Sequence, residues 1–229
     1  MYALASHRPW NRALCRRLEQ RTGQAFRLID APDQLEPETL RTDAIQTIFF
    51  PHWSYKIPAA VYEPFECIIF HMTDLPYGRG GSPLQNLIMS GHENTVISAL
   101  RCVEALDAGP VYLKRPLRLN GSAEEIYLRA DRIIESMIVT LIEDQPKAAP
   151  QVGEPTQFKR RRPDQGDWSD APDLDRVFDR IRMLDADGYP PAFLDVGSFR
   201  LTFTRASRRT DAVLSDVRIT VRDPGYRDP

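Results

Sequence analysis

The chain has 229 residues, 42% of them apolar and 27% charged, enough for one sizeable packed domain with an appendage. Its formal net charge of −2 offers no electrostatic case for a nucleic-acid-binding protein, with the run "FKRRRP" (Phe158 to Pro163) as a local exception. The three cysteines, Cys15, Cys67 and Cys102, are far apart and odd in number, which argues against a zinc site and against a secreted disulfide framework.

The N-terminus, "MYALASHRPW", lacks the charged start and long apolar run of a signal peptide, and no stretch approaches the roughly eighteen apolar residues of a membrane span, so a cytoplasmic protein is expected. "YALAS" reads as a first strand. "RPWNRALCRRLEQRTG" reads as a helix, with Leu14 and Leu18 on one face and Gly23 as its stop. "AFRLIDA" and "AIQTIFFPHW" are a second and a third strand, "IPAAVYEPF" a short helix or turn, and "ECIIFHM" a fourth strand. "SPLQNLIMSG" opens a helix with Ser82 at the cap, Pro83 in the first turn and Gly91 at the end. "NTVISALRCVE" alternates like a fifth strand, ending at "ALDAGPVYLKRPLRL". "SAEEIYLRADRIIESMIVTLIED" is a long amphipathic helix whose Ser122 and Glu125 form a capping box.

Strands alternating with helices predict an α/β fold, a mostly parallel sheet over residues 1–145 with helices on both faces. Beyond Gln145 the texture changes. Residues 146–168, rich in Pro, Lys, Arg and Gln and without period, read as a surface linker. Residues 169–229 read as a small β-rich C-terminal module: the helix "APDLDRVFDRIRML", then the strands "FRLTFTRA" and "AVLSDVRITVR" paired through "SRRTD".

Parallel sheets bind ligands outside the carboxyl ends of their strands. His71 stands at one such end, before the Pro- and Gly-punctuated loop "LPYGRGGSP", and Asp107 follows another strand in "LDAGP". A neutral imidazole there can take a proton from an attacking amine or give one to a developing oxyanion. The plainer reading is a histidine hydrogen-bonded into its own loop. A carboxylate at Asp107 can orient that ring, although Asp-Ala-Gly is also ordinary turn chemistry. Glycines around Arg79 let the backbone approach a ligand. Arg79 itself is a candidate for a phosphate or carboxylate, though a surface arginine is as common.

"SHRPWN" and "FPHWSYKIP", after the first and third strands, share the same sheet edge. His7, Arg8 and Trp10 are candidate substrate contacts, or else a capped helix start with Trp10 in the core. His52, Trp53 and Tyr55 are candidate walls for a flat heterocycle. "FKRRRP" is read as a solvated linker face ahead of a phosphate-binding patch. Neither a dinucleotide fingerprint nor a P-loop is present.

The ordered set "FHMTDLP", "RGGSP", "SGHENTVIS" and "LDAGPVY" resembles the formyltransferases that use 10-formyltetrahydrofolate, the methionyl-tRNA formyltransferase-like family. "RRRPDQGDWSDAPDLDRVFDRIRMLDADGYPPAF" also resembles the start of the C-terminal module in its longer members. In size and brief tail the chain is most similar to members that formylate amino sugars on nucleotide carriers. The resemblance implies a Rossmann-like domain with an Asn-His-Asp catalytic set, in which His71 matches the histidine and Asp107 the aspartate. The asparagine's place, two residues before the histidine, holds Ile69. An oxyanion donor contributes about 10²–10³ in rate, so activity requires a substitute: first the His71 ring, then Thr73 or a loop N–H. The resemblance further implies that the pterin of 10-formyltetrahydrofolate lies among Trp53, Ser54 and Tyr55 and the segment holding Val103, Glu104 and Leu106.

Together these readings predict an N-formyltransferase acting on the amine of a nucleotide-linked amino sugar, with His7, Arg8, Trp10 and Arg79 on the acceptor. No metal, nucleic-acid or membrane partner is expected, and edge pairing of the tail strands would give a homodimer. The rivals are a folate or nucleotide-sugar binding protein without turnover, which Ile69 keeps open, and formyl transfer or hydrolysis on another substrate such as methionyl-tRNA. The near-neutral charge counts against the tRNA.

Overall fold

A computed structural model describes residues 1–222, so residues 223–229 of the C-terminal module lie outside the described residues. In chain order the elements are β1 (Tyr2–Ala5), α1 (Asn11–Thr22), β2 (Phe26–Ile29), α2 (Pro37–Thr42), β3 (Thr47–Pro51), α3 (Ala59–Tyr62), β4 (Glu66–His71), β5 (Arg79–Gly80) and α4 (Pro83–Met89). They continue with β6 (Asn94–Arg101), β7 (Val111–Arg118), α5 (Ala123–Asp144), β8 (Gln157–Phe158), α6 (Leu174–Arg182), β9 (Ala192–Val196), β10 (Phe199–Arg208) and β11 (Val213–Val221). The protein is α/β, with a mostly parallel central sheet and an antiparallel C-terminal one.

Six strands form the central sheet in the order β2-β1-β3-β4-β6-β7. β1 is parallel to both β2 and β3, and β3 to β4, whereas β6 runs antiparallel to β4. Ala3, Leu4 and Ala5 in β1 and Ile48, Phe49 and Phe50 in β3 are buried without alternation, because both faces of the sheet are covered. Each such phenylalanine contributes about 1.5–3 kcal/mol by burial. The chain leaves β1 toward β2 on one side, while β3 and β4 lie on the other. The loops after β1 and β3 therefore flank the crevice where strand order reverses, the usual ligand position in open α/β sheets.

Several local expectations hold and several change. The capping box at α5 forms, with Ser122 N donating to Glu125 Oε2 (2.8 Å) and Glu125 N to Ser122 Oγ (3.3 Å). Gly23 closes α1 in the left-handed conformation, φ 65°. "VYLKRPLR", read as the tail of the preceding strand, is a strand of its own; as β7 it lies at the sheet edge, where Pro116 removes no obligatory ladder bond. Ser82 does not adopt the extended conformation usual for a cap and sits at φ 50° before Pro83. Helix α2 and strand β9 lie outside the elements expected from the sequence. α2 rests on Glu36, whose side chain accepts from Thr39 N at 2.7 Å. Among the described residues no helix is long and apolar enough to cross a membrane.

The chain divides into two compact units. The first comprises Met1–Pro83, Asn94–Leu117 and Leu128–Phe158; the second comprises Leu84–Glu93, Arg118–Tyr127 and the chain from Lys159. The second unit is tied by side chains that satisfy backbone carbonyls. Gln85 donates to Met183 O (3.1 Å), Arg176 to Met89 O (2.8 Å) at the end of α4, and Arg182 to Leu119 O (2.6 Å) and Gly121 O (3.0 Å). Trp168 packs edge-on against Phe203 of β10, with ring centres 5.1 Å apart.

In the first unit α1 and α5 are joined by a buried polar network. Asn11 Nδ2 donates to Asp131 Oδ1 (2.9 Å), and Arg17 donates to Asp131 Oδ2 (2.8 Å) and Glu135 Oε2 (2.6 Å). Burial pushes Asp131 up to about 6, against the pull of Arg17. Burial also acts upward on Glu135, but hydrogen bonds from Arg17 and Arg21 leave it below the usual glutamate range. Arg17→Met removes the cation nearest Asp131 and is expected to destabilise the fold by about 3 kcal/mol at neutral pH. Asp131 has a raised folded-state pKa, so it binds its proton as pH falls through about 6, and a neutral acid needs no cation. The deficit should therefore shrink between about pH 7.5 and about pH 5 in urea titrations, whereas a deficit independent of pH would exclude this account.

Candidate active site

β4 carries Ile69 and His71 to the same side of the strand, and His71 is only 7% exposed. Its Nε2 donates to Gly78 O at 2.8 Å. A carbonyl only accepts, so Nε2 holds a proton in this arrangement. Nδ1 lies 3.6 Å from Asp107 Oδ2, beyond hydrogen-bonding distance, so the carboxylate acts on the ring through its charge. His71, Gly78 and Asp107 all belong to the first unit.

The loop after His71 is held by the stretch that composition reads as a linker. Gly78 N donates to Thr156 Oγ1 (2.7 Å), Arg79 N to Thr156 O (3.0 Å) and Gly81 N to Phe158 O (3.1 Å), and β5 pairs in parallel with β8. Gly80 N donates to Asp107 Oδ2 at 2.9 Å. Gly80 sits at φ 107°, and a Cβ there would lie 2.4 Å from Phe158 O, so only glycine brings this N–H to the carboxylate. Four N–H groups of this loop, where a stand-in for the family asparagine was expected, are thus engaged. Thr73 is fully buried, with its hydroxyl on Gly78 O at 3.4 Å. Ile69 packs on an apolar cluster with Trp53 and Tyr62.

Asp107 reaches His71 by a different route from the one the strand pattern predicts. Because β6 is antiparallel to β4, its carboxyl end does not share the edge where β1, β3 and β4 end. The turn at residues 102–110 folds back instead, with Asp107 at φ 51° and 7% exposed. Gly109 allows the fold-back, since a Cβ would lie 1.8 Å from Arg101 O. Val103 is partly buried in this turn, while Glu104 and Leu106 are exposed on it.

The loops at the β1/β3 crevice converge as one ring cluster. His7 lies 6.4 Å from Trp53 and 5.8 Å from Tyr55, and Trp53 lies 5.3 Å from Tyr55, all edge-to-face. Trp10 stands 6.3 Å from His52, and the Arg8 guanidinium 5.7 Å from the Trp10 ring. Ser54 is exposed on the same loop. Burial, and then the Arg8 charge, lowers His7; the same causes, with His7 added, push His52 down to about 3. Both imidazoles are therefore neutral, leaving Arg8 as the charge among them. His7 Nδ1 and Trp53 Nε1 are enclosed without a hydrogen-bond partner. Arg79 turns elsewhere, donating through Nε and Nη2 to Gln151 Oε1 (3.1 and 2.7 Å). Gln151 and Thr156 were not singled out from sequence, because a Gln and a Thr in an aperiodic Pro-rich stretch give no signal.

Residues 163–220 match the family described as methionyl-tRNA formyltransferase, C-terminal domain. A solved methionyl-tRNA formyltransferase from Clostridium thermocellum is 42% identical, covers 96% of this chain and 98% of its own, and superposes with a TM-score of 0.93. The methionyl-tRNA formyltransferase of Gluconobacter oxydans (strain 621H) is 32% identical over 133 residues, 56% of this chain and 42% of that protein. HypX from Aquifex aeolicus, solved in complex with tetrahydrofolic acid, shares the fold at 20% identity and a TM-score of 0.71, over 90% of this chain and 37% of its own. The chain belongs to the formyltransferase family. Within it, the likeness runs to proteins named methionyl-tRNA formyltransferase, and the chain spans less than half the length of the first curated ones it matches.

These relatives overturn the expectation of a sugar-nucleotide partner and of no nucleic acid. The charge argument fails for a physical reason. A net charge of −2 sums over the whole chain, whereas a phosphate responds to charges within about 8–10 Å. Lys159, Arg160, Arg161 and Arg162 are consecutive, and three of them are exposed.

Gly80→Ala is expected to lower stability by about 1–3 kcal/mol through strain at its positive φ. It should also break the bond to Asp107. A denaturation midpoint equal to that of the parent protein would show that the loop does not depend on this glycine.

Proposed function

We propose that this chain transfers the formyl group of 10-formyltetrahydrofolate to the α-amine of methionyl-tRNA. The observation that carries the reading is the His71–Asp107 pair, buried, fixed by the glycine loop and 3.6 Å apart. Family membership supports the donor, and the full-length likeness to a methionyl-tRNA formyltransferase supports the acceptor. The exposed basic run at Lys159–Arg162 offers phosphate contacts.

The pterin would lie against the Trp53 and Tyr55 rings, with His7 and Trp10 as further walls of the crevice. 10-Formyltetrahydrofolate supplies an activated formyl carbon. The amine nitrogen bonds that carbon while the carbon's bond to the donor nitrogen breaks. His71 Nδ1 takes the proton the amine gives up and returns it to the departing nitrogen, so the enzyme ends unchanged. Asp107 stabilises the imidazolium formed in between, and Gly78 O keeps Nε2 in place. Once protonated, Nδ1–H faces the developing oxyanion and takes over from the missing asparagine amide.

Ile69 favours one other reading, a folate-binding protein without turnover, since an apolar side chain stands where the family places a donor. The two readings separate by mass. Incubation with 10-formyltetrahydrofolate and methionyl-tRNA should add about 28 Da to the released methionine, the CO of an acyl transfer to nitrogen. A binder takes up the folate without that gain. His71→Ala should lower the transfer rate by about 10²–10⁴, the range of general acid–base catalysis. Undiminished transfer by that variant would remove the mechanism. The affinity for methionyl-tRNA should fall linearly in log–log form as salt rises, whereas a flat profile would argue against a phosphate-contacting acceptor.

A further inference from the structure

We propose that Gln151 is the positioning residue for the His71–Asp107 pair, an inference that rests on the formyl-transfer reading for its kinetic consequence but not for its geometry. Gln151 touches neither His71 nor the Asp107 carboxylate. Its Nε2 donates to Asp107 O and to Gly109 O, both at 2.8 Å, and its Oε1 accepts the Arg79 fork. The residue after Arg79 is Gly80, whose N–H holds the Asp107 carboxylate at 2.9 Å. The four residues thus close a circuit: Gln151 to Asp107, Asp107 to Gly80, Gly80 by the chain to Arg79, and Arg79 back to Gln151.

A closed circuit fixes a distance that an open chain of contacts would leave loose. Asp107 sits at φ 51°, a conformation a non-glycine residue keeps only where its surroundings over-determine it. Here its carbonyl is fixed by Gln151 and its carboxylate by Gly80, so both ends of the residue are held. The 3.6 Å gap to His71 Nδ1 is the outcome.

An amide suits the joint because it donates two hydrogens and accepts through its oxygen while remaining neutral. A carboxylate would keep Arg79 but face two carbonyls. A cation would repel Arg79. The circuit also explains why Arg79, a candidate anion holder from sequence, faces a neutral amide oxygen: it is placed to brace the turn.

The test uses the full chain with Gln151→Glu and Gln151→Met, and Arg79→Lys to open the circuit at its other joint. Thermal midpoints and amide spectra identify the variants that remain folded. In those, kcat for formyl transfer should fall by about 10- to 100-fold, as for a displaced reacting group, while KM for methionyl-tRNA and for the folate stays within about twofold. The nitrogen-15 signals of the His71 ring should move in the same variants, with the other three histidines unshifted. Either readout unchanged in a folded variant overturns the proposal, as does a rate loss that only tracks the folded fraction. If the parent protein shows no formyl transfer, the formyl-transfer reading fails by itself and the His71 ring signals alone decide the positioning.

Discussion

A carboxylate enclosed at Asp107 is the constraint around which the first unit is arranged. Taking an ionised carboxyl out of water costs several kcal/mol unless charge and hydrogen bonds replace the solvent. The replacement seen here is a backbone N–H from Gly80, and a charge partner appears only when His71 Nδ1, 3.6 Å away, is protonated. Gly80 can offer its N–H because it has no side chain to meet Phe158, and Phe158 is placed by the pairing of β8 with β5. Loop, turn and returning segment therefore stand or fall together, and the glycines of "GRGG" serve the carboxylate as much as any ligand.

Charge is distributed unevenly between the two parts of the site. The crevice between β1 and β3 is lined by rings whose histidines are held neutral by burial and by Arg8. The His71–Asp107 pair instead combines an imidazole with a carboxylate. Sheet topology makes the crevice, since it follows from strand order alone. The pair is made by loops, and loops can change without disturbing the sheet beneath. Ile69 illustrates the same independence: a strand position can exchange an amide for an apolar side chain and join the core cluster with Trp53.

Much of the fold was legible because it follows from local rules. Uninterrupted apolar strands announced a sheet covered on both faces, and Gly23, Ser122 and Glu125 marked helix ends that formed as read. His71 was legible as the residue at a strand's end before a rigid loop. Asp107 does come within 3.6 Å of His71, but by a different approach from the one strand alternation gave, because nothing local reveals that β6 runs antiparallel. Gln151 lies 44 residues from Asp107 and 72 from Arg79 in a stretch without period, so its contacts are a property of the tertiary fold alone. The expectation of no nucleic-acid partner rested on a summed charge, which discards where charges lie.

The network between α1 and α5 has a consequence for how the chain is made. Arg17 meets Asp131 and Glu135, 114 and 118 residues downstream, and Gly78 meets Thr156, 78 residues downstream. At ribosomal speeds of about 5–20 residues per second, the first helix waits roughly 6–24 seconds for its acidic partners to be synthesised. During that interval the apolar strands of the nascent chain are the surface that holdase chaperones would cover. The loop after His71 is latched only after the strand following α5 has emerged.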